Sequence, residues 1–124
     1  MPSGSGSSVG SNSGRFTHDH NWSADETQII LANTEYNLGS PPVAGKTLCI
    51  TEVSVRTTTP GDVVVTVRVA GETVAKITVN VLAGSTAVWS SIDGRRFEAT
   101  EQPVVLSDNV AGGTFYVSAS GLEA

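Results

Sequence analysis

Cysteine is nearly absent from this chain. Cys49 is the only one in 124 residues, so no intrachain disulfide can brace the fold. Its neighbours Leu48 and Ile50 are apolar, which points to a buried, unreactive thiol. Basic residues are also scarce, with seven Lys and Arg against twelve Asp and Glu and a formal charge of −5. A nucleic-acid binder draws most of its affinity from neutralising phosphates. With Arg95-Arg96 as its only basic pair, the chain is not expected to be one. No apolar run approaches the length of a membrane span, and the first residues carry neither the basic nor the apolar region of a secretory signal. The Asn21-Trp22-Ser23 sequon therefore carries no weight. Synthesis in the cytoplasm, or export by an assembly rather than by a signal, is the expectation.

Catalytic groups are equally thin. The two histidines, His18 and His20, both precede the first patterned segment. No Ser-His-Asp or Cys-His set has the strand–turn–helix context that would support it. The carboxylates are scattered, and the glycine-rich stretches lack the lysine and following helix of a phosphate loop. Enzyme activity and a cofactor are not expected. His18-Asp19-His20 could face one point from an extended chain, and three such pairs on a three-fold axis would offer six nitrogens to a transition metal. The spacing resembles the His-x-His pairs of phage spikes and fibres. No strand pattern surrounds these residues, so two solvated loop histidines are favoured and no metal is expected.

What the chain does have is valine, threonine and glycine. Aromatics make up only 6% of it, so an aliphatic core is required. Valine and threonine suit pleated, half-buried strands, and thirteen glycines and five prolines supply turns. Residues 1–14 contain ten Gly or Ser and no charge, a composition that cannot offset its own ordering entropy. This divides the chain into a flexible Gly/Ser-rich arm, residues 1–25, and a folded domain, residues 26–124.

Within that domain, Thr27–Ala32 reads as a first strand and Lys46–Thr58 as a second. The second has a fault, because Leu48 and Ile50 share one parity while Val53 and Val55 share the other. A one-residue bulge near Thr51-Glu52 would return all four to one face. Val63–Val69 and Ala75–Val81 alternate without fault. A three-residue loop, Gly71-Glu72-Thr73, pairs Val69 with Ala75, Val67 with Ile77 and Val65 with Val79, and buries one face cleanly. Asp93-Gly94 is the strongest short turn signal. It predicts a hairpin of Ala87–Ile92 with Arg95–Thr100, placing Val88, Ser90 and Ile92 beside Phe97 and sending Trp89 to the other face. Pro103–Ser107 and Thr114–Ser120 complete about eight strands. No stretch has the period of a core helix. The expected fold is an all-β, antiparallel β-sandwich, jelly-roll-like, behind an extended N-terminal arm.

Phe97 and Phe115 sit on apolar parities and read as packing residues. Phe16, Trp22, Tyr36, Trp89 and Tyr116 are harder to place in a core and are the interface candidates.

Ala44-Gly45-Lys46 leading into a Val/Thr strand, Phe97-Glu98-Ala99-Thr100-Glu101, and the closing strand Gly113-Thr114-Phe115-Tyr116-Val117-Ser118-Ala119-Ser120 resemble the small β-sandwich virion proteins of tailed bacteriophages. Those include capsid decoration (cement) proteins and head or tail fibre modules. The resemblance implies a non-enzymatic homo-trimer that clamps the major capsid protein or other virion subunits, with its arm and the Trp22 region in contact with the shell. It also implies a virion location after assembly in host cytoplasm. An alternative is a receptor- or carbohydrate-binding fibre module, which would need two or three coplanar aromatics on one sheet face. A shell-forming jelly roll of a small virus ranks third, because the arm lacks the basic charge that neutralises a genome.

Overall fold

Period-two alternation governs the structure, a computed structural model that describes residues 20–29, 31–58, 60–108 and 113–124. Its eight strands are β1 (His20–Ile29), β2 (Tyr36–Asn37), β3 (Leu48–Thr57), β4 (Val63–Val69), β5 (Ile77–Val81), β6 (Thr86–Phe97), β7 (Pro103–Ser107) and β8 (Phe115–Glu123). They form two four-stranded sheets, β1-β8-β3-β6 and β2-β7-β4-β5. Every pairing is antiparallel. Consecutive strands mostly alternate between sheets, which is the double Greek-key order of a jelly roll. Aliphatic side chains from the two inner faces form one core, with Phe97 and Phe115 fully buried in it. Each fully buried Val, Leu, Ile or Phe contributes about 1.5–3 kcal/mol relative to exposure, so a core this poor in aromatics is stabilised by many modest increments.

The alternation in β4 and β5 produces the expected ladder, with Val65 opposite Val79 and Val67 opposite Ile77. It ends there, however. Val69 and Ala75 are not paired, and the connection runs from Ala70 to Lys76 instead of three residues. The backbone closes at its base through Lys76 N–H donating to the Val67 carbonyl at 2.8 Å.

The parity fault in β3 is a bulge where the apolar pattern places it. Ile50 faces Gly121 and Glu52 faces Ser120 on β8, so Thr51 has no counterpart there. Leu48, Ile50, Val53 and Val55 all become fully buried on the inner face. Gly121 permits the close approach. A Cβ on it would press on the Cys49 carbonyl oxygen and lie 2.9 Å from Ile50 Cα.

Two expectations are corrected by pairings distant in sequence. The first strand is not Thr27–Ala32 but His20–Ile29, so His20–Asp25, read as part of the arm, pairs along β8. A second bulge hid it: Asp25 and Glu26 together stand opposite Ser118, which lets Trp22 and Ala24 share the inner face with Ile29 despite opposite parity. The Asp93-Gly94 hairpin does not form. Thr86–Ser90 and Arg95–Phe97 both run antiparallel to β3, as two stretches of one strand. Thr51 of β3 stands opposite the four residues Ser91–Gly94, which arch away from the ladder. Gly94 takes φ of 68°, the left-handed geometry expected of a turn, but uses it within this arch. Consequently Trp89 faces inward with Ala87, whereas Val88, Ser90 and Ile92 face outward. The strand count matches the expectation because the merged hairpin is balanced by the two-residue β2, which is too short to show a period.

Candidate functional site

Side chains available for recognition include those on the outer face of the β1-β8-β3-β6 sheet and along its edges. On the outer face, Ser54, Ser118 and Ser120 surround a shallow trough of about 160 Å³, with Glu52 at its rim. The Ser120 hydroxyl donates to Glu52 Oε1 at 3.5 Å, a long and weak contact. Beside the trough the Arg56 guanidinium lies 4.3 Å from the centre of the Tyr116 ring and donates to Glu26 Oε2 at 2.8 Å. Both partners of this ion pair are about half exposed, at 51% and 49%. It is therefore worth at most about 1 kcal/mol and serves mainly to hold Arg56 across Tyr116. A wider open recess of about 580 Å³ lies between Asn21–Thr27 and Gly39-Ser40. Its lining is mostly hydroxyl, amide and carboxylate, with Trp22 and Ala24 beside them. Among the described residues, no three His, Cys, Asp or Glu side chains come together to hold a metal.

The aromatic interface candidates are dispersed. Trp22 is only 7% exposed, with its Nε1 donating to the Ser40 carbonyl at 3.1 Å and its ring against Gly39. It is a core residue, not a surface one. Tyr36 is half-buried against the core from the other sheet, and its hydroxyl accepts the Leu31 N–H at 3.1 Å. Trp89 packs against the core at the open edge of the first sheet, with Arg95 5.3 Å from its ring centre. Tyr116 alone stands on an outer face, under Arg56. These rings do not make the coplanar platform that stacking on a sugar requires. Phe16 and His18 lie outside the described residues, and His20 begins β1.

No protein-family model matches the chain, and no curated protein does. Several solved structures are similar to it at low identity. An endospore appendage pilus protein of Bacillus is 17% identical, with a TM-score of 0.44 over 90% of this chain and 98% of the other. PirA is 16% identical, with a TM-score of 0.47 over 88% and 99%. A carbohydrate-binding module from a Cellvibrio mixtus lichenase, solved with cellotriose, is 14% identical, with a TM-score of 0.40 over 84% and 90%. All are small β-rich domains.

Two features escaped sequence reasoning. One is the arch Ser91–Gly94, which covers Cys49 from the outer side, with the thiol donating to the Asp93 carbonyl at 3.1 Å. Burial is the main cause that pushes this thiol above its ordinary value of 9.0, against a smaller opposing pull from Arg96. Ionisation thus favours the unfolded chain. The thiol's contribution to stability is fully present below pH 9.0 and is lost as pH rises through the higher folded value. A small alkylating reagent at pH 8 is expected to label Cys49 at least about tenfold more slowly in the native protein than in urea; equal rates would show the arch to be open. The other missed feature is an exposed apolar set at one edge, Val88 at 57% and Ile92 at 101%, with Leu82 at 66% in the preceding turn. Their alternation in Val88, Ser90 and Ile92 is legible in the sequence, but only the inward turn of Trp89 reveals that they face water.

Proposed function

We propose that this protein is a non-enzymatic structural component of a multi-subunit particle, with capsid decoration as the specific role. In that role the sandwich and the N-terminal segment bind adjacent subunits of a virion shell. The observation that carries it is the pair of exposed apolar side chains, Val88 and Ile92, on the edge strand of the first sheet. Apolar side chains so placed suit burial against another protein surface. The Gly/Ser-rich residues 1–14 add reach, since that stretch alone could span about 45 Å when extended. Weak contacts repeated over a symmetric shell become collectively strong. The carbohydrate-binding alternative loses support from the dispersal of Tyr36, Trp89 and Tyr116 over different faces.

Sedimentation with shells stripped of the protein tests this reading, using the full chain and a chain lacking residues 1–14. Truncation at Asp25 would cut into β1 and test folding instead. The full chain is expected to bind saturably, and loss of the arm to weaken binding by at least about tenfold. No binding by the full chain would overturn the proposal.

A further inference from the structure

We infer that the chain associates head to tail with copies of itself, the arch Ser91–Gly94 of one copy seating Ile92 in a groove beside Val64 and Leu82 of the next. The arch is a built feature of β6. Its four residues stand opposite Thr51 alone, so they leave the β3 ladder. Hydrogen bonds hold three of them. The Ser91 hydroxyl accepts the Gly94 N–H at 3.1 Å across the base, and the Asp93 carbonyl accepts the Cys49 thiol at 3.1 Å. The Gly94 carbonyl accepts Arg95 Nη1 at 3.0 Å. Gly94 itself is buried, and an added Cβ would press on Cys49 Sγ and lie 2.8 Å from the Ile50 carbonyl oxygen.

The fourth residue is Ile92. Its side chain is 101% exposed, the most of any large apolar residue among those described. The bonds that hold the arch use none of its atoms, and a polar side chain at the tip would be better solvated. Carried on a fixed backbone, Ile92 can be buried in a partner with little ordering of the arch.

The receiving groove lies at the end of the β4–β5 hairpin, on the outer face of the other sheet. Val64 stands opposite Asn80 there, and Leu82, 66% exposed, continues the same side beyond β5. With Asp62, Val63 and Val81 they line a hollow of about 190 Å³. An apolar cavity of about 150 Å³ takes up benzene, so one isoleucine side chain fits. Charge matches as well as shape. Asp62 lines the groove and Asp108 flanks it, its carboxylate accepting the Val64 N–H at 3.2 Å, while no Lys or Arg is part of the lining. Arg95 and Arg96, both exposed, directly follow the arch, and Asp93 is the one acid within it. Seating Ile92 thus brings a basic pair to an acidic pair, an attraction that two chains of −5 lack at most other surfaces. The arch stands outside the β1-β8-β3-β6 sheet and the groove outside β2-β7-β4-β5, on opposite faces of the sandwich. A contact so placed is heterologous, and each copy offers an unfilled end to the next. It joins copies of this chain, which goes beyond the shell-binding role, and it leaves Val88 outside.

The test is the mass of the full chain by sedimentation equilibrium at rising concentration, beside Ile92→Asp, Leu82→Asp and their equimolar mixture. A contact with one anchor is small and weak, so the series runs to about 1 mM. Wild-type mass is expected to climb past twice the chain mass with no plateau at two. Ile92→Asp removes the knob and Leu82→Asp spoils the groove, and each alone should raise the dissociation constant at least about tenfold. Mixed, the two variants keep one sound contact between them, so the mass should settle at two chains and go no higher. Both residues are exposed, and unchanged thermal midpoints would show that the variants fold. A wild type that stays monomeric throughout, variants that associate as wild type does, or a mixture that behaves as its separate components would overturn the inference. Failure of shell sedimentation with this association intact would count against the decoration role alone.

Discussion

Gly121→Val is expected to cost about 3 kcal/mol or more and to lower the urea midpoint accordingly. Gly121 faces Ile50 where β3 bulges, and a side chain there meets backbone rather than rotatable groups: the Cys49 carbonyl oxygen, Ile50 Cα at 2.9 Å and Cys49 C at 3.0 Å. None of these can swing aside without moving β3. That strand sits between β8 and β6, so a displacement would disturb both of its ladders. Gly71→Ala is the matched control. Gly71 takes φ of 82° with nothing within 4 Å of its added Cβ, so the cost should be about 1 kcal/mol from backbone strain alone. Similar losses for the two variants would show that close approach at the bulge is not what Gly121 provides.

Trp22→Ala is expected to destabilise the fold by about 3–4 kcal/mol, within the usual range for removing a buried aromatic. The indole is buried, its ring contacts Gly39 and Ala24 lies alongside, and its Nε1 bonds the Ser40 carbonyl. It thereby clamps the start of β1 to the turn after β2. Trp22→Phe keeps most of the packing and loses the hydrogen bond, for about 1 kcal/mol. A surface contact residue would behave differently, with both substitutions changing stability by less than about 0.5 kcal/mol. Chemical denaturation separates the cases, and hydrogen exchange in β1 should report the same weakening locally.

Bulges account for both the successes and the misses of sequence reasoning. In β3 the parity fault lies between two pairs of strong apolar residues, so a single inserted residue was the economical explanation. In β1 an equivalent fault lies beside a Gly/Ser-rich stretch, and Trp22 and Ala24 looked like the end of the arm. Their short alternation with Asn21 and Ser23 was the available signal. In β6 the local chemistry was read correctly as demanding a glycine at positive φ, but a hairpin turn and an arch within one strand make the same local demand. Strand direction after Gly94 is decided by which residues meet Arg95, and that partner, Ile50, lies far back in the chain.

The chain by itself thus determined an all-β sandwich with an aliphatic core, the β4–β5 register and the bulge in β3. Each follows from the period-two separation of apolar from polar side chains, a property written in adjacent residues. Only the tertiary structure decided that Trp22 is core, that Asp93-Gly94 does not reverse the chain, and that Val88 and Ile92 face water at a free edge. Those outcomes depend on pairing between strands distant in sequence, where burial and backbone hydrogen bonding override local preference.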